Sequence, residues 1–333
     1  MRIPYDEMKH VMEVRLIKFG VEEELAARCA ANLANASLDG VISHGLYRFP
    51  RLVSMIRSGT IHSNHRATCI SSIGALEVWD GNLGLGNINA EDCMDRAVEL
   101  AQTYGIGCVS LRHTNHWMRG GAYGIRAAKS GCVGICWTTT MPNMPAWGAK
   151  NKSIGNNPLI LCIPYRGSYV LVDTAMAQFS YGAVENAIIS GQMLSIPGGY
   201  NTKGELTTDP QELMKSGRFL PIGYWKGSSL SLLLDMIASG LSGGTPVCEI
   251  GKQGTCATDE YNLNQVYIAI RIPDTVESNQ RIDSIIESII TAEKAEGVKE
   301  IRYPSQKSKR VHDDNLAHGI PVNEEIWAEV LAI

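Results

Sequence analysis

The sequence predicts an α/β protein in which a mixed sheet is flanked by helices and the helical pieces at the two chain ends close into one lobe. Three observations lead there. Apolar strand-like runs at 108–111, 133–137, 159–163, 169–172 and 266–272 alternate with helical runs at 89–104, 121–129, 229–241 and 281–296, as expected for an α/β core with a mixed or partly parallel sheet. Both ends of the chain read helical instead. At 333 residues, 44% hydrophobic and 19% charged, the chain can bury a large core, and a usual domain size of about 100–200 residues points to two domains.

Taken in order, Met8, Val11, Met12 and Leu16 share one helical face, and Leu25 to Leu33 form an alanine-rich second helix. Phe49, Leu52, Val53 and Ile56 fall at i, i+3, i+4 and i+7, so a third helix buries that face. Pro50 suits its first turn, where no backbone donor is needed. From about residue 66 the strand and helix alternation takes over. After Pro304 the tail returns to short helices at 310–318 and 323–331. The expected division is a helical lobe of residues 1–65 plus 305–333 and an α/β domain of residues 66–304. Segments 140–157 and 197–209, rich in Gly, Asn, Pro and Thr, are the main loops.

Composition removes several classes. Thirty basic against 34 acidic residues give a formal charge of −4, which offers nucleic acid no broad attraction. Nine cysteines, spread from Cys29 to Cys256 without a Cys-x-x-Cys pair, suit reduced thiols in a cytosol. Cys132 and Cys136 lie in an apolar run that reads as a buried strand, so no metal pair is expected there. The N-terminus lacks an apolar signal core, and no stretch approaches the roughly 20 apolar residues that span a bilayer. A soluble cytoplasmic protein without a membrane partner is expected.

The chemistry concentrates in four places. In Ser43-His44-Gly45-Leu46-Tyr47-Arg48-Phe49-Pro50 a titratable imidazole and a fixed cation precede the third helix, which pairs an acid/base group with an anion clamp. The plainer account is a histidine satisfying a buried backbone group and an arginine pairing with an acid. The second place, Arg112-His113-Thr114-Asn115-His116-Trp117-Met118-Arg119-Gly120-Gly121, follows a strand, where α/β proteins collect ligands. His113 reads best as a satisfied polar residue. His116 is the better candidate, because Gly120 and Gly121 leave room beside it and open a helix whose N-terminus attracts anions. Third, the apolar run Tyr169-Val170-Leu171-Val172-Asp173-Thr174-Ala175 ends in a carboxylate, which as a lone signal is a cap for the next segment. Fourth, Trp225 and Lys226 precede an apolar helix, and lysine beside glycine is a weak phosphate signal.

No Gly-x-Gly-x-x-Gly links a strand to a helix, and Gly81-Asn-Leu-Gly84-Leu-Gly86 has the wrong spacing. A Rossmann fold is therefore not expected. Neither a Walker A lysine motif nor His-Glu-x-x-His is present, which disfavours nucleotide-triphosphate hydrolysis and zincin chemistry.

Together these segments resemble the malate/L-lactate dehydrogenase family that lacks a Rossmann fold. The likeness runs through residues 43–50, 115–121, Gly-Ile-Cys-Trp-Thr (134–138), Trp-Gly-Ala-Lys (147–150), Asn-Pro-Leu-Ile (157–160), Phe-Ser-Tyr-Gly (179–182) and Tyr-Trp-Lys-Gly-Ser (224–228). It implies a homodimeric NAD(P)H-dependent reductase with an unusual α/β nucleotide-binding domain. The substrate would be a 2-keto or 2,3-diketo sugar acid; malate, lactate, ureidoglycolate or a cyclic imino acid stay open within the family. The resemblance makes His44 the proton donor and gives Tyr169 to Ala175, Trp225 and Lys226 to the dinucleotide. A third family contact, Gly-His-Glu after a proline, falls here on Ser305-Gln306-Lys307, which puts a cation where the family has a carboxylate and leaves the choice of NAD or NADP open. On chemical grounds Arg48 would grip the substrate carboxylate, Asp173 would orient His44 or hold it protonated, and His116 would bond the substrate oxygens. Two readings from other classes remain. One is a metal-dependent hydrolase using His113 and His116, which lack a partner motif; the other is a sugar-acid binding protein without catalysis.

Overall fold

The computed structural model describes residues 1–250, 252, 260–273 and 275–333. The described helices are α1 (Tyr5–Lys18), α2 (Glu23–Leu38), α3 (Phe49–Arg57), α4 (Gly86–Tyr104), α5 (Gly121–Lys129), α6 (Tyr181–Ile189), α7 (Pro210–Ser216), α8 (Trp225–Ser242), α9 (Val276–Ile290), α10 (Gln306–His318) and α11 (Glu324–Ala332). The central sheet is built from β1 (Thr68–Ile73), β2 (Leu76–Asp80), β3 (Ile106–Thr114), β4 (Cys132–Thr138), β5 (Leu159–Tyr165), β6 (Ser168–Thr174) and β7 (Leu263–Arg271).

The sheet order is β1-β2-β3-β7-β4-β5-β6, and β2 with β3 is its one parallel pair. A doubly wound nucleotide fold has a mostly parallel sheet, so this sheet is of another kind. Side chains alternate across the strands with period two and sort the interior into two cores. Val109, Leu111, Cys136, Ile160, Cys162, Leu171, Tyr267 and Ala269 pack toward α4 and α5. Trp137 and Val266, with the partly buried Cys108, Ile135, Leu159 and Ile268, face the opposite layer, which holds α8.

A third core is assembled from both chain ends. Met8, Met12 and Leu16 of α1, Leu25 to Leu38 of α2 and Phe49, Leu52 and Val53 of α3 meet Ile320, Val322, Trp327 and Val330 near the C-terminus. Each such large side chain contributes roughly 1.5–3 kcal/mol on burial. Pro50 sits in the first turn of α3. Gly45 is needed where the chain approaches α2: a Cβ there would collide with the Ser37 hydroxyl and lie 2.8 Å from the Ser37 amide. With that approach open, the Leu46 amide donates to Ser37 Oγ at 2.8 Å, and two short 3-10 turns, Ile42–His44 and Leu46–Arg48, are pinned against α2.

Several elements differ from the pattern in the sequence. The helix expected at 281–296 runs instead over Val276–Ile290, because the Thr275 hydroxyl accepts from the Ser278 amide at 3.1 Å and starts it earlier. β1 is exposed along its whole length and carries no burial alternation. α6 and α7 fall in stretches where the sequence pattern assigned neither helix nor loop, and each is started by a capping side chain: Ser180 accepts from the Ala183 amide and Asp209 from the Gln211 and Glu212 amides. The eight described cysteines are free, with Cys132 and Cys136 buried; Cys256 lies outside the described residues. No described helix is long and apolar enough to cross a membrane.

Candidate active site

The segment leading into α3 and the segment between β3 and α5 meet. The rings of His44 and His116 stack with centroids 5.6 Å apart and planes 20° from parallel. Arg48 forms an ion pair with Glu260, which lies just before β7, and His116 Nε2 is 3.8 Å from the same carboxylate oxygen. All four side chains are partly covered, with Arg48 18% and Glu260 16% exposed. Two histidines, a guanidinium and a carboxylate thus share one half-buried cluster. The sequence singled out His44, Arg48 and His116 but not Glu260, a lone acid 212 positions from its partner with no local motif to mark it.

Hydrogen bonds restrict the two imidazoles. The Met118 amide donates to His116 Nδ1 at 3.1 Å, so the neutral ring carries its proton on Nε2, toward Glu260. His44 Nδ1 lies 3.1 Å from the Ser43 hydroxyl, and when that hydroxyl donates, the His44 proton also sits on Nε2. Burial pushes the His44 pKa below its ordinary value; Asp173 pulls it up and Arg48 pushes it down further. Burial, reinforced by Arg48, holds His116 well below the usual range. For Glu260 burial favours the neutral acid, but His116 and the guanidinium groups of Arg48 and Arg51 outweigh it and keep the carboxyl below the usual carboxylate range.

Asp173, near the end of β6, is close enough to His44 for its charge to raise the imidazole pKa. Its Oδ2 accepts from the Gly121 amide at 2.8 Å, so it caps α5 and not the segment that follows it in the chain. The approach needs glycine, because a Cβ at position 121 would lie 2.8 Å from that oxygen. The anion at the α5 N-terminus is therefore supplied by the protein itself. Arg119, from the same motif as His116, turns away into a buried ion pair with Asp39, whose other oxygen is 2.5 Å from His312 Nδ1 on α10. His113 faces Asp80 at 2.8 Å rather than His116.

The three segments that the resemblance gave to a dinucleotide are tied together. β6 is the last strand of the sheet, so alternate residues present their backbone groups to an open edge. At that edge Ser305 Oγ accepts from the Leu171 amide at 2.6 Å, and Tyr169 and Asp173, two residues to either side, share the same orientation. Val170, Val172 and Thr174 pair inward with Ile163, Leu161 and Leu159, and Ala175 continues the strand. The Met176 carbonyl then accepts from the Ile222 amide at 2.8 Å, which brings in Trp225 and Lys226 at the start of α8, both exposed. Gln306 accepts from the Tyr303 amide at 3.2 Å, and Lys307 is exposed on the first turn of α10. Ser305 has φ 78°, in the left-handed region that favours glycine. Its two hydrogen bonds to Leu171 offset that strain.

The malate/L-lactate dehydrogenase family pattern matches residues 3–331. The chain is 41% identical, over the full length of both proteins, to 2,3-diketo-L-gulonate reductases from Salmonella paratyphi C (strain RKS4594) and Citrobacter koseri. Among solved structures, malate dehydrogenase from Entamoeba histolytica matches with a TM-score of 0.93 at 25% identity, covering 99% of this chain and 96% of that one. Sulfolactate dehydrogenase from Methanocaldococcus jannaschii matches with a TM-score of 0.90 at 27% identity, covering 99% and 95%. The chain belongs to the malate/L-lactate dehydrogenase family and is an oxidoreductase of that family.

Proposed function

We propose that the protein is an NAD(P)H-dependent reductase acting on the keto group of a 2-keto or 2,3-diketo sugar acid, with 2,3-diketo-L-gulonate as the substrate. The stacked His44–His116 pair beside Arg48 is the observation that carries this reading. The full-length identity to reductases named for that substrate supports the choice of acid. Membership in a dehydrogenase family implies a nicotinamide cofactor. Residues 169–175, Trp225, Lys226 and 305–307 fit one: the β6 edge offers backbone donors, Lys226 a cation for phosphate, and Trp225 an exposed flat ring. When bound, the nicotinamide supplies the hydride.

The remaining work falls to the chain's own side chains. Negative charge builds on the keto oxygen during reduction, and His44 Nε2 delivers the proton there. Arg48 exchanges part of its contact with Glu260 for the substrate carboxylate, and its planar fork fixes which carbon is presented. His116 donates from Nε2 to a substrate oxygen, and Asp173 supports the protonated form of His44. In this reading a helical lobe of residues 1–65 and 305–333 covers one side of the site and the α/β domain of residues 66–304 the other. The enzyme works as a homodimer in the cytoplasm, uses NADH, and accepts NADPH through the cationic stretch around Lys307.

A panel of 2-keto and 2,3-diketo acids with NADH and with NADPH, followed at the nicotinamide absorbance band, tests this. Turnover is expected to be best with 2,3-diketo-L-gulonate. Binding of sugar acids without any oxidation of either cofactor would favour a non-catalytic binding protein. Best turnover with oxaloacetate, pyruvate or an oxidised ureidoglycolate would move the protein to another activity of the family. Light scattering at micromolar concentration should give twice the 36.3 kDa chain mass.

A further inference from the structure

The reduction needs a proton donor and a carboxylate clamp, yet the pocket also holds a carboxylate of its own. Glu260 is 16% exposed, contacts Arg48, and has its oxygen 3.8 Å from His116 Nε2. Burial, with the Glu260 charge behind it, raises the pKa of the Tyr181 phenol at the start of α6. A half-buried acid against the clamp weakens the site for every anion, because like charges in a poorly hydrated pocket repel strongly. The effect is unequal among substrates. Malate and sulfolactate, named for two of the structural neighbours, each carry a second anionic group. A sugar acid has one carboxylate and a row of hydroxyls in place of the second anion. A carboxylate accepts charge-assisted hydrogen bonds from hydroxyls, so Glu260 rewards the one kind of molecule and repels the other.

We infer that Glu260 is a specificity-determining residue that admits polyhydroxy monocarboxylates and turns away dicarboxylates. The inference rests on the reductase reading of this same pocket. Specificity of this kind is a difference between two affinities and is set as much by the repulsive element as by the attractive one. The acid that pairs with Arg48 in the free protein is thus also the group that separates the two kinds of substrate.

The test compares kcat/KM for oxaloacetate and 2,3-diketo-L-gulonate in wild type, Glu260→Gln, Glu260→Leu and Glu260→Asp. Removing the charge with Gln or Leu should raise the oxaloacetate-to-diketogulonate ratio by about 10–100-fold, the size of a close like-charge contact. Asp keeps the charge and should hold the ratio near wild type even if turnover falls. Equal losses for both substrates in the Gln and Leu variants would mean that Glu260 only braces Arg48, which overturns the inference. A second arm needs no turnover: calorimetric titration of the NADH-loaded protein with tartronate, a hydroxy dicarboxylate, and with L-gulonate. Tartronate should bind the Gln variant more tightly than wild type, while L-gulonate should bind it more weakly. If wild type reduces no keto acid but the calorimetric switch occurs, the reductase reading falls and the charge gate stands.

Discussion

Replacing Asp173 with Asn separates the structural part of the Asp173 contact from its electrostatic part. The side chain keeps its shape and an oxygen that accepts from Gly121, but loses the charge at the N-terminus of α5. Asp173 is exposed, so the interaction of its charge with the helix end is worth about 0.3–1 kcal/mol. Unfolding entropy of roughly 2.1 cal/mol/K per residue gives a chain of this length about 0.7 kcal/mol/K, and the Tm should fall by no more than about 1.5 °C. The catalytic consequence is larger in kind. Burial lowers the His44 pKa, and Asp173 is the principal group opposing that shift. Without it the His44 pKa moves further down. In the proposed mechanism keto-acid reduction requires protonated His44, so kcat/KM should be full at low pH and be lost as pH rises through the free-enzyme pKa. In Asp173→Asn that loss should begin at lower pH. In the reverse direction neutral His44 is the base, and the rise of kcat/KM with pH should also begin earlier. The assay is a pair of pH profiles at fixed ionic strength, with differential scanning fluorimetry beside them. A variant with a lowered Tm and an unmoved limb would refute the electrostatic link and leave Asp173 as a helix cap only.

Three further outcomes are expected. His44→Ala should lower kcat for keto-acid reduction by about 10²–10⁴-fold while NADH binding, followed by nicotinamide fluorescence, changes little. Arg48→Lys should raise KM and lower kcat for keto acids, since an ammonium keeps the charge but not the planar fork; a neutral ketone measured in parallel should lose much less, and equal losses would make Arg48 structural. Lys307→Glu should lower the NADPH-to-NADH ratio of kcat/KM by up to about fivefold, the range of an exposed charge pair near 1 kcal/mol, and an unchanged ratio would show that Lys307 does not face the cofactor.

Much of the candidate site's local structure could be read from the sequence, because its main residues lie in short segments that carry their own structural signal. Pro50 and the apolar spacing after it set the start of α3, which puts His44 and Arg48 in the lead-in turns. Gly120 and Gly121 after a strand marked α5, whose ends agree with the apolar pattern. What could not be read was pairing at long range. Glu260 meets Arg48 across 212 positions and Asp39 meets His312 across 273, and nothing in either local sequence encodes the partner. The role of Asp173 as a cap for α5, 52 residues before it in the chain, was hidden for the same reason. β1 escaped notice because an exposed edge strand needs no apolar alternation.

The order of strands in the sheet bears on how the molecule is made. β7, residues Leu263–Arg271, is the last sheet strand to leave the ribosome, yet it lies between β3 and β4, with Tyr267 opposite both Val109 and Cys136. Until it arrives, β3 and β4 each present an open apolar edge that can join another chain. Closing the sheet means bringing together residues more than 120 positions apart, a slow step in any chain rich in non-local pairing. A nascent or truncated chain ending before residue 263 would lack the strand that joins the two halves of the sheet, and it is expected to aggregate or bind chaperones rather than form a smaller folded protein.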